Sequence, residues 1–498
     1  MTQDMCLVLD MGGGQAAAIA RKVRAARVYC EVMPIGAPVE RLTNRAPRGL
    51  IIAGGVGNPF AEGAALIPEG VLSMGLPVLG LGYGAGALLR AAGAQSTRSM
   101  PGRQPVEVCF LDDPLFEGLT ESERLVERLD EVVLPDGFRS IAGETGGWSV
   151  GFADAARKWW GLQFYPEQND PDGLQILRNF SEVICGCEAN WDIQRFMAFE
   201  VPFIQQKVGS GRALIALSGG VDSTVCAALL QRAIGEQLTC IYVDTGFMRV
   251  GDNEAVRQVI DKLPGLRLTI VDAHERFLSC VKGVCDEKDK RRRIAEELLR
   301  AFEDAACEIG GIDCLARGAT YDDLLEHGSE MADAQARTAL KESFTALVEP
   351  VSRLFKDEVR LLGEALGLPE EFTHQQPFPG AGLALRSMGE VTQERIHVVR
   401  AADRIFCEEI VRANLGKRIA QYFAILTNAA TGGTDGHIGM TIALRAVNWT
   451  GSASCATAYR LPYDLLERVV ARITTEVPGV NRVVYDVTPK PSAGIEWD

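Results

Sequence analysis

Short apolar runs alternate with longer, polar-faced stretches along the first part of the chain. Cys6–Asp10 is apolar up to its last residue and runs into Gly12-Gly-Gly14, after which Ala16–Arg24 has helical character. Arg27–Met33, Gly49–Ala53 and Pro77–Leu81 follow as further strands, the last leading to a helix at Ala85–Ala92. Continuous apolar strands separated by helices predict a parallel sheet wound by helices over residues 1–185. A Cys/Gly/Asn stretch at Gly186–Trp191 marks a boundary before the helix Ile193–Val208. A second α/β unit then starts: strand Arg212–Leu217, a glycine turn, helix Thr224–Ile234, strand Leu238–Asp244, and later the charged helix Asp286–Ile309. From about residue 387 the texture changes again. The helix Gln393–Asn414 precedes the runs Ile419–Leu426, Thr441–Val447 and Val480–Val487, an α+β pattern. The expected division is into segments 1–188, 189–385 and 386–498, and a length of 498 residues suits three domains.

Charge narrows the possible partners. The net charge of −15 argues against a protein whose main task is gripping nucleic acid or anionic lipid, while a local basic pocket for a small anion stays open. No apolar run approaches the roughly 18 residues of a membrane span, and the Met1 segment has no charged start followed by a hydrophobic core. A cytoplasmic protein with no membrane or nucleic-acid partner is expected. The thirteen cysteines follow no disulfide or zinc spacing, so reduced thiols are expected. There are only five histidines, at 274, 327, 374, 397 and 437. Nothing before His274 can supply an imidazole base, so no Cys–His or Ser–His pair can be completed within the first half.

Two glycine turns are candidates for chemistry. Asp10-Met-Gly12-Gly-Gly14-Gln-Ala-Ala17 fits G-x-G-x-x-A, with Glu31 near the place for a ribose carboxylate, but an ordinary strand-to-helix turn yields the same pattern. Ser218-Gly219-Gly220-Val221-Asp222-Ser223 is far more specific. Its glycines let backbone N–H groups approach a phosphate, its serines add hydroxyl donors, and the helix that follows adds its positive end. The Lys of a Walker loop is missing, so a pyrophosphate leaving group is the expected ligand, with Asp222 available to a metal on that phosphate.

At these residues the chain resembles the GMP synthetase family. The match is carried by Ser218–Ser223, Tyr242-Val-Asp-Thr-Gly-Phe-Met-Arg249 and Leu354-Phe-Lys-Asp-Glu-Val-Arg360. It continues through Pro377-Phe-Pro-Gly-Ala-Gly-Leu-Ala-Leu-Arg386, Asn481–Asp486 and Lys490–Asp498, and it covers the chain nearly end to end. The resemblance implies a flavodoxin-like amidotransferase-type domain, a PP-loop ATP-pyrophosphatase domain with a parallel sheet, and a C-terminal α+β dimerisation domain. It also implies an ATP- and Mg²⁺-dependent ligase that adenylates the xanthine oxygen of XMP and lets ammonia displace AMP. Carried over residue by residue, Ser218, Gly219, Gly220, Val221, Asp222 and Ser223 would bind the pyrophosphate end of ATP, with Asp244 near its nucleoside. Asp222 and Lys356 would serve catalysis, Asp222 also as the Mg²⁺ ligand. Arg386, Gln421, Arg445, Lys490 and Glu496 would bind the purine nucleotide, and the C-terminal segment would form a homodimer.

The sequence also leaves the family's pattern. In the glycine-flanked elbow Gly80-Leu-Gly82-Tyr-Gly84, Gly82 stands where the nucleophilic cysteine belongs. Tyr165 stands at the base position, and of the glutaminase residues only the carboxylate Glu167 remains. Without nucleophile and base, hydrolysis of glutamine is not expected, so ammonia would be free or supplied by a separate protein. In the synthetase half the lid histidines are replaced by the sequence from His327 to Lys341, Gln376 takes a His position, and Gly494 takes a Thr position. XMP amination therefore competes with two readings: a paralogue that activates another heterocycle or uses another nucleophile, and a non-catalytic nucleotide-binding regulator.

Overall fold

The computed structural model describes residues 4–119, 122–144, 147–166, 171–263, 265–325, 344, 346–433, 436–450 and 452–497. The chain divides into two compact units, Met1–Arg195 and Phe196–Asp498.

The first unit holds β1 (Met5–Asp10), β2 (Tyr29–Pro34), β3 (Gly49–Ala53), β4 (Val78–Leu81), β5 (Ser96–Phe110), β6 (Ser122–Val132), β7 (Arg139–Glu144), β8 (Ser149–Asp154) and β9 (Trp159–Leu162). They form one sheet in the order β2-β1-β3-β4-β9-β8-β7-β5-β6. From β2 to β9 neighbours run parallel, as expected of their apolar runs, and β1, β3 and β4 are buried nearly throughout. From β9 onward they are antiparallel, which corrects the expectation of an all-parallel sheet. The long β5–β6 pair is rich in Arg, Glu and Pro and lacks the continuous apolar run that marks a strand buried on both faces.

The second unit begins within the helix Ile193–Val208 and carries a parallel sheet of β10 (Ala213–Leu217), β11 (Leu238–Asp244), β12 (Arg267–Asp272), β13 (Cys314–Ala316) and β14 (Ala346–Val348), in the order β12-β11-β10-β13-β14. A second sheet contains β15 (Gln421–Gly432), β16 (Ile438–Thr450), β17 (Ser452–Ala458) and β18 (Val480–Asp486), with β16 paired to the other three. Leu214 and Ile241 of the first of these sheets lie in the same apolar core as Ile396 and Val399 of the helix Gln393–Arg412 and Leu444 of β16. The pyrophosphatase-like and C-terminal segments therefore share one core. Reversal of strand order occurs at β10, whose neighbours on opposite sides are β11 and β13. Ligands of such sheets bind beyond the strand ends at that point.

Helix ends differ little from the sequence expectation: the helix after the glycine turn is Val221–Ile234, and the charged helix is Glu287–Ile309. Among the described residues no helix is long and apolar enough to cross a membrane.

Candidate functional site

β10, buried except at Ala216, delivers the chain into Ser218 at the sheet's ligand edge. Gly219 has φ +79°, a conformation that L side chains resist, and a Cβ there would also press on the Met248 methyl at 3.3 Å. Gly220 caps the 14-residue helix Val221–Ile234, so the helix's positive end opens onto the turn. Serines hold the loop's shape. Ser223 Oγ accepts from Ser218 N–H at 3.1 Å and lies 3.0 Å from Ser218 Oγ, which accepts from Gly220 N–H at 3.2 Å. Gly318, just past β13, packs against this loop: a Cβ there would sit 2.9 Å from Ser223 Cα and 3.2 Å from the Asp222 carbonyl oxygen.

Charges gather beside the helix start. Lys356 begins the helix Lys356–Ala365; its Nζ lies 3.1 Å from Asp323 Oδ1, and its N–H donates to Asp322 Oδ2 at 2.8 Å. Burial alone would make the ammonium easier to deprotonate, yet Asp323, Asp222 and Asp322 outweigh burial and hold Lys356 charged. Burial likewise opposes ionisation of Asp323, but Thr320, donating through N–H at 2.9 Å and Oγ1 at 2.8 Å, together with Lys356, holds its pKa below the usual value. Asp222 differs. Burial pushes its pKa up, Lys356 offsets part of the rise, and Asp323 adds to it. Asp222 is thus a desolvated carboxylate in need of positive charge.

Asp244 ends β11 on the neighbouring strand. Its Oδ1 accepts from Gly246 N–H at 3.0 Å and lies 2.9 Å from His274 Nε2, and its Oδ2 accepts from Asn253 Nδ2 at 2.6 Å. Asn253 Oδ1 in turn accepts from the Tyr242 hydroxyl at 2.5 Å. The Tyr242 ring lies 3.5 Å from a Cβ built at Gly219, so the two strand ends touch through it. Asp322, Asp323, Asn253 and His274 were not singled out as site residues from sequence. The two aspartates end the stretch Gly318-Ala-Thr-Tyr-Asp-Asp323, whereas Asn253 has no sequence signal beyond its place on a helix.

In the C-terminal part, the structure brings Arg386, Gln421 and Glu496 together. Arg386 has no solvent exposure, lies over the Phe423 ring at 4.0 Å, and pairs with Glu496 at 3.2 Å and Asp403 at 3.7 Å. Gln421 Nε2 donates to Glu496 at 3.2 Å. Arg445, equally buried, pairs with Asp486 and donates to the Gly494 carbonyl at 2.9 Å. Arg386 Nη1 and Arg445 Nε are buried without a hydrogen-bond partner among the described residues. Lys490 Nζ lies over the Trp449 ring at 5.6 Å. The lid expected between His327 and Lys341 lies outside the described residues, as does Glu167.

The first unit repeats the device of strand, glycine and helix. β4 ends at Leu81, Gly82 has φ 54° and ψ −114°, and the helix Tyr83–Ala91 follows, the strained elbow that lifts a nucleophile above a sheet. A Cβ at Gly82 would lie 2.6 Å from the Tyr165 hydroxyl oxygen and closer still to its ring, so the tyrosine fills the space a nucleophile would need. Both residues border a cavity of about 390 Å³ whose lining includes Gln15, Asp130 and Gln163 and, among the described residues, neither Cys nor His. The other glycine turn shows no sign of a ribose carboxylate: Glu31 is paired with Arg45 at 3.2 Å and accepts from Tyr29 at 3.0 Å. None of the thirteen cysteines is in a disulfide, and Cys314 is buried within β13.

Three family models match the chain: glutamine amidotransferase class-I over residues 7–183, NAD synthase over 196–308 and GMP synthase C terminal domain over 408–497. Relatives match end to end. GMP synthase [glutamine-hydrolyzing] of Symbiobacterium thermophilum is 42% identical over 100% of this chain and 99% of its own length. The protein of the same name from Ruminiclostridium cellulolyticum is 40% identical over 100% of both chains, and that from Thermomicrobium roseum 42% over 99% of this chain and 97% of its own. With a PP-loop ATP-pyrophosphatase unit between an amidotransferase-type and a GMP synthase C-terminal region, the chain belongs to the GMP synthase family of ATP-dependent ligases.

Proposed function

We propose that this chain makes GMP from XMP, ATP and ammonia, and that it does not draw the ammonia from glutamine itself. The xanthine oxygen attacks the α-phosphorus of ATP, pyrophosphate leaves, ammonia adds at the activated carbon, and AMP departs. An amide-like oxygen is a poor leaving group until it becomes a phosphoester, which is why ATP is spent. Ser218, Ser223 and the N–H groups at the start of the helix Val221–Ile234 suit the pyrophosphate, and Lys356 offsets the charge that develops on it. Asp222 fits Mg²⁺: it is a desolvated carboxylate, and this ion takes one or two carboxylates plus substrate phosphates. When bound there, Mg²⁺ would offset charge on the phosphate oxygens.

Tyr165 carries the nitrogen-source reading. Its ring occupies the space beside Gly82, and the cavity that borders both has no thiol or imidazole among its described lining residues. The first unit then serves as a scaffold or as a docking surface for a separate ammonia supplier. Dimerisation through the C-terminal part is supported by exposed Trp449 and Val484 on its sheet and Val487 just past β18.

One observation favours the paralogue reading. Arg386 and Arg445 are already paired with Glu496 and Asp486, which leaves fewer donors for a nucleotide phosphate. Against that, Arg445 Nε has no hydrogen-bond partner among the described residues and Arg386 Nη1 only the long 3.7 Å ion pair to Asp403, which leaves both able to donate to an anion. Pyrophosphate release and mass spectrometry of products with Mg-ATP, XMP and ammonium chloride decide the matter. GMP with stoichiometric AMP and pyrophosphate supports XMP amination; pyrophosphate release with other heterocycles but not XMP supports the paralogue.

A further inference from the structure

We propose that His274 is a positioning residue for ATP, holding Asp244 as the acceptor for a donor group on the nucleoside. The inference rests on the reading of ATP as substrate and adds a residue to it.

Asp244 stands at the carboxyl end of β11, next to the strand that feeds the phosphate-binding turn. A carboxylate there can accept from the ribose hydroxyls or the adenine amino group only if it is held still and kept from turning inward. Three donors hold it. Gly246 N–H and His274 Nε2 share Oδ1, and Asn253 Nδ2 takes Oδ2. Asn253 is fixed from behind by the Tyr242 hydroxyl. His274 is the one of these side chains that is nearly half exposed, so it guards the solvent side of Asp244. Its ring lies against Gly246, where φ is +74° and a Cβ would come within 3.1 Å of the imidazole. The same loop is tied on its other side by Arg400, which donates to the carbonyls of Gly246 and Met248. Removing the imidazole therefore frees one carboxylate oxygen and the flank of a loop, while the phosphate cradle at Ser218–Ser223 keeps its own bonds. Loss of ground-state binding at the nucleoside end raises KM without a matching fall in kcat.

The test uses the full chain and two readouts. The Kd of a non-hydrolysable ATP analogue, the α,β-methylene compound, is measured by calorimetry for wild type, His274→Ala, His274→Gln and Asp244→Asn, and steady-state KM and kcat are measured with XMP and ammonium. The expected result for His274→Ala is a Kd and an ATP KM raised about tenfold, with kcat and the XMP KM within twofold. His274→Gln, whose amide nitrogen can donate in place of Nε2, should return to within threefold of wild type. Unchanged analogue binding in His274→Ala, equal losses in kcat and both KM values, or a failure of Gln to rescue would each overturn the proposal. Absence of analogue binding by wild type would instead overturn the ATP reading beneath it. Binding without GMP formation would leave the positioning claim to be decided by the Kd series alone.

Discussion

The two units use one local device to different ends. In each, a buried parallel strand runs into glycine and out into a helix, so that the turn stands at the ligand edge of the sheet. At Ser218–Ser223 the turn is lined with hydroxyls, faces a lysine, and includes a desolvated carboxylate, Asp222. At Gly82 the turn takes a different, positive-φ conformation with no side chain on it, and an aromatic ring occupies the space beside it. Backbone geometry is therefore a record of what a turn is shaped to present, while chemistry depends on the side chains that the geometry presents.

The largest effect should come from removing Lys356 from the working turn. Lys356→Ala is expected to lower pyrophosphate release about 100- to 1000-fold, the usual cost of losing a group that stabilises developing negative charge. Activity within tenfold of wild type would mean that the cradle works without Lys356, and that the contrast between the two turns is drawn at the wrong residue.

Returning a thiol to the silent turn should fail for a steric reason. Gly82→Cys is expected to lose about 1–3 kcal/mol of stability by overpacking against Tyr165, read as a lower melting temperature of the first unit, and to release no glutamate from glutamine. Gly82→Cys combined with Tyr165→Ala should recover most of that loss. Equal melting of Gly82→Cys and wild type would show that Tyr165 does not fill the site.

A smaller effect, of opposite sign, should separate stability from function at Asp222. Burial raises its folded-state pKa, so the folded protein holds that proton more tightly than the unfolded chain. Its contribution to stability is full below the ordinary aspartate pKa and is lost as pH rises through the raised folded value. At pH 7.5 the penalty stands in full. Asp222→Asn should accordingly melt higher than wild type at pH 7.5, lose that advantage when both are measured near pH 3.5, and release almost no pyrophosphate. A lower melting point at pH 7.5 would contradict the assignment of Asp222 as a strained, metal-seeking carboxylate.

The strands that are buried on both faces were readable, because a parallel core demands continuous apolar runs: β1, β3, β10 and β11 fall where the pattern puts them. The β5–β6 pair was not, because its Arg, Glu and Pro content carries no such run. The phosphate turn was legible since its glycines and serines are adjacent in sequence. The partners of Lys356 and Asp244 were harder. Asp323 reaches Lys356 across 33 positions and His274 reaches Asp244 across 30, and no local spacing encodes such meetings. The replacement at Gly82 and Tyr165 was visible in the residues, but that one ring fills the other's space could only come from three dimensions.

The nitrogen source is the central claim, and isotope labelling tests it most directly. Mg-ATP and XMP are supplied with ¹⁵N-ammonium and unlabelled glutamine, then with unlabelled ammonium and amide-¹⁵N glutamine, and the mass of the GMP formed is read. The account predicts label from ammonium only, with no glutamate released. Label from glutamine, in a preparation free of any separate glutaminase, would contradict it.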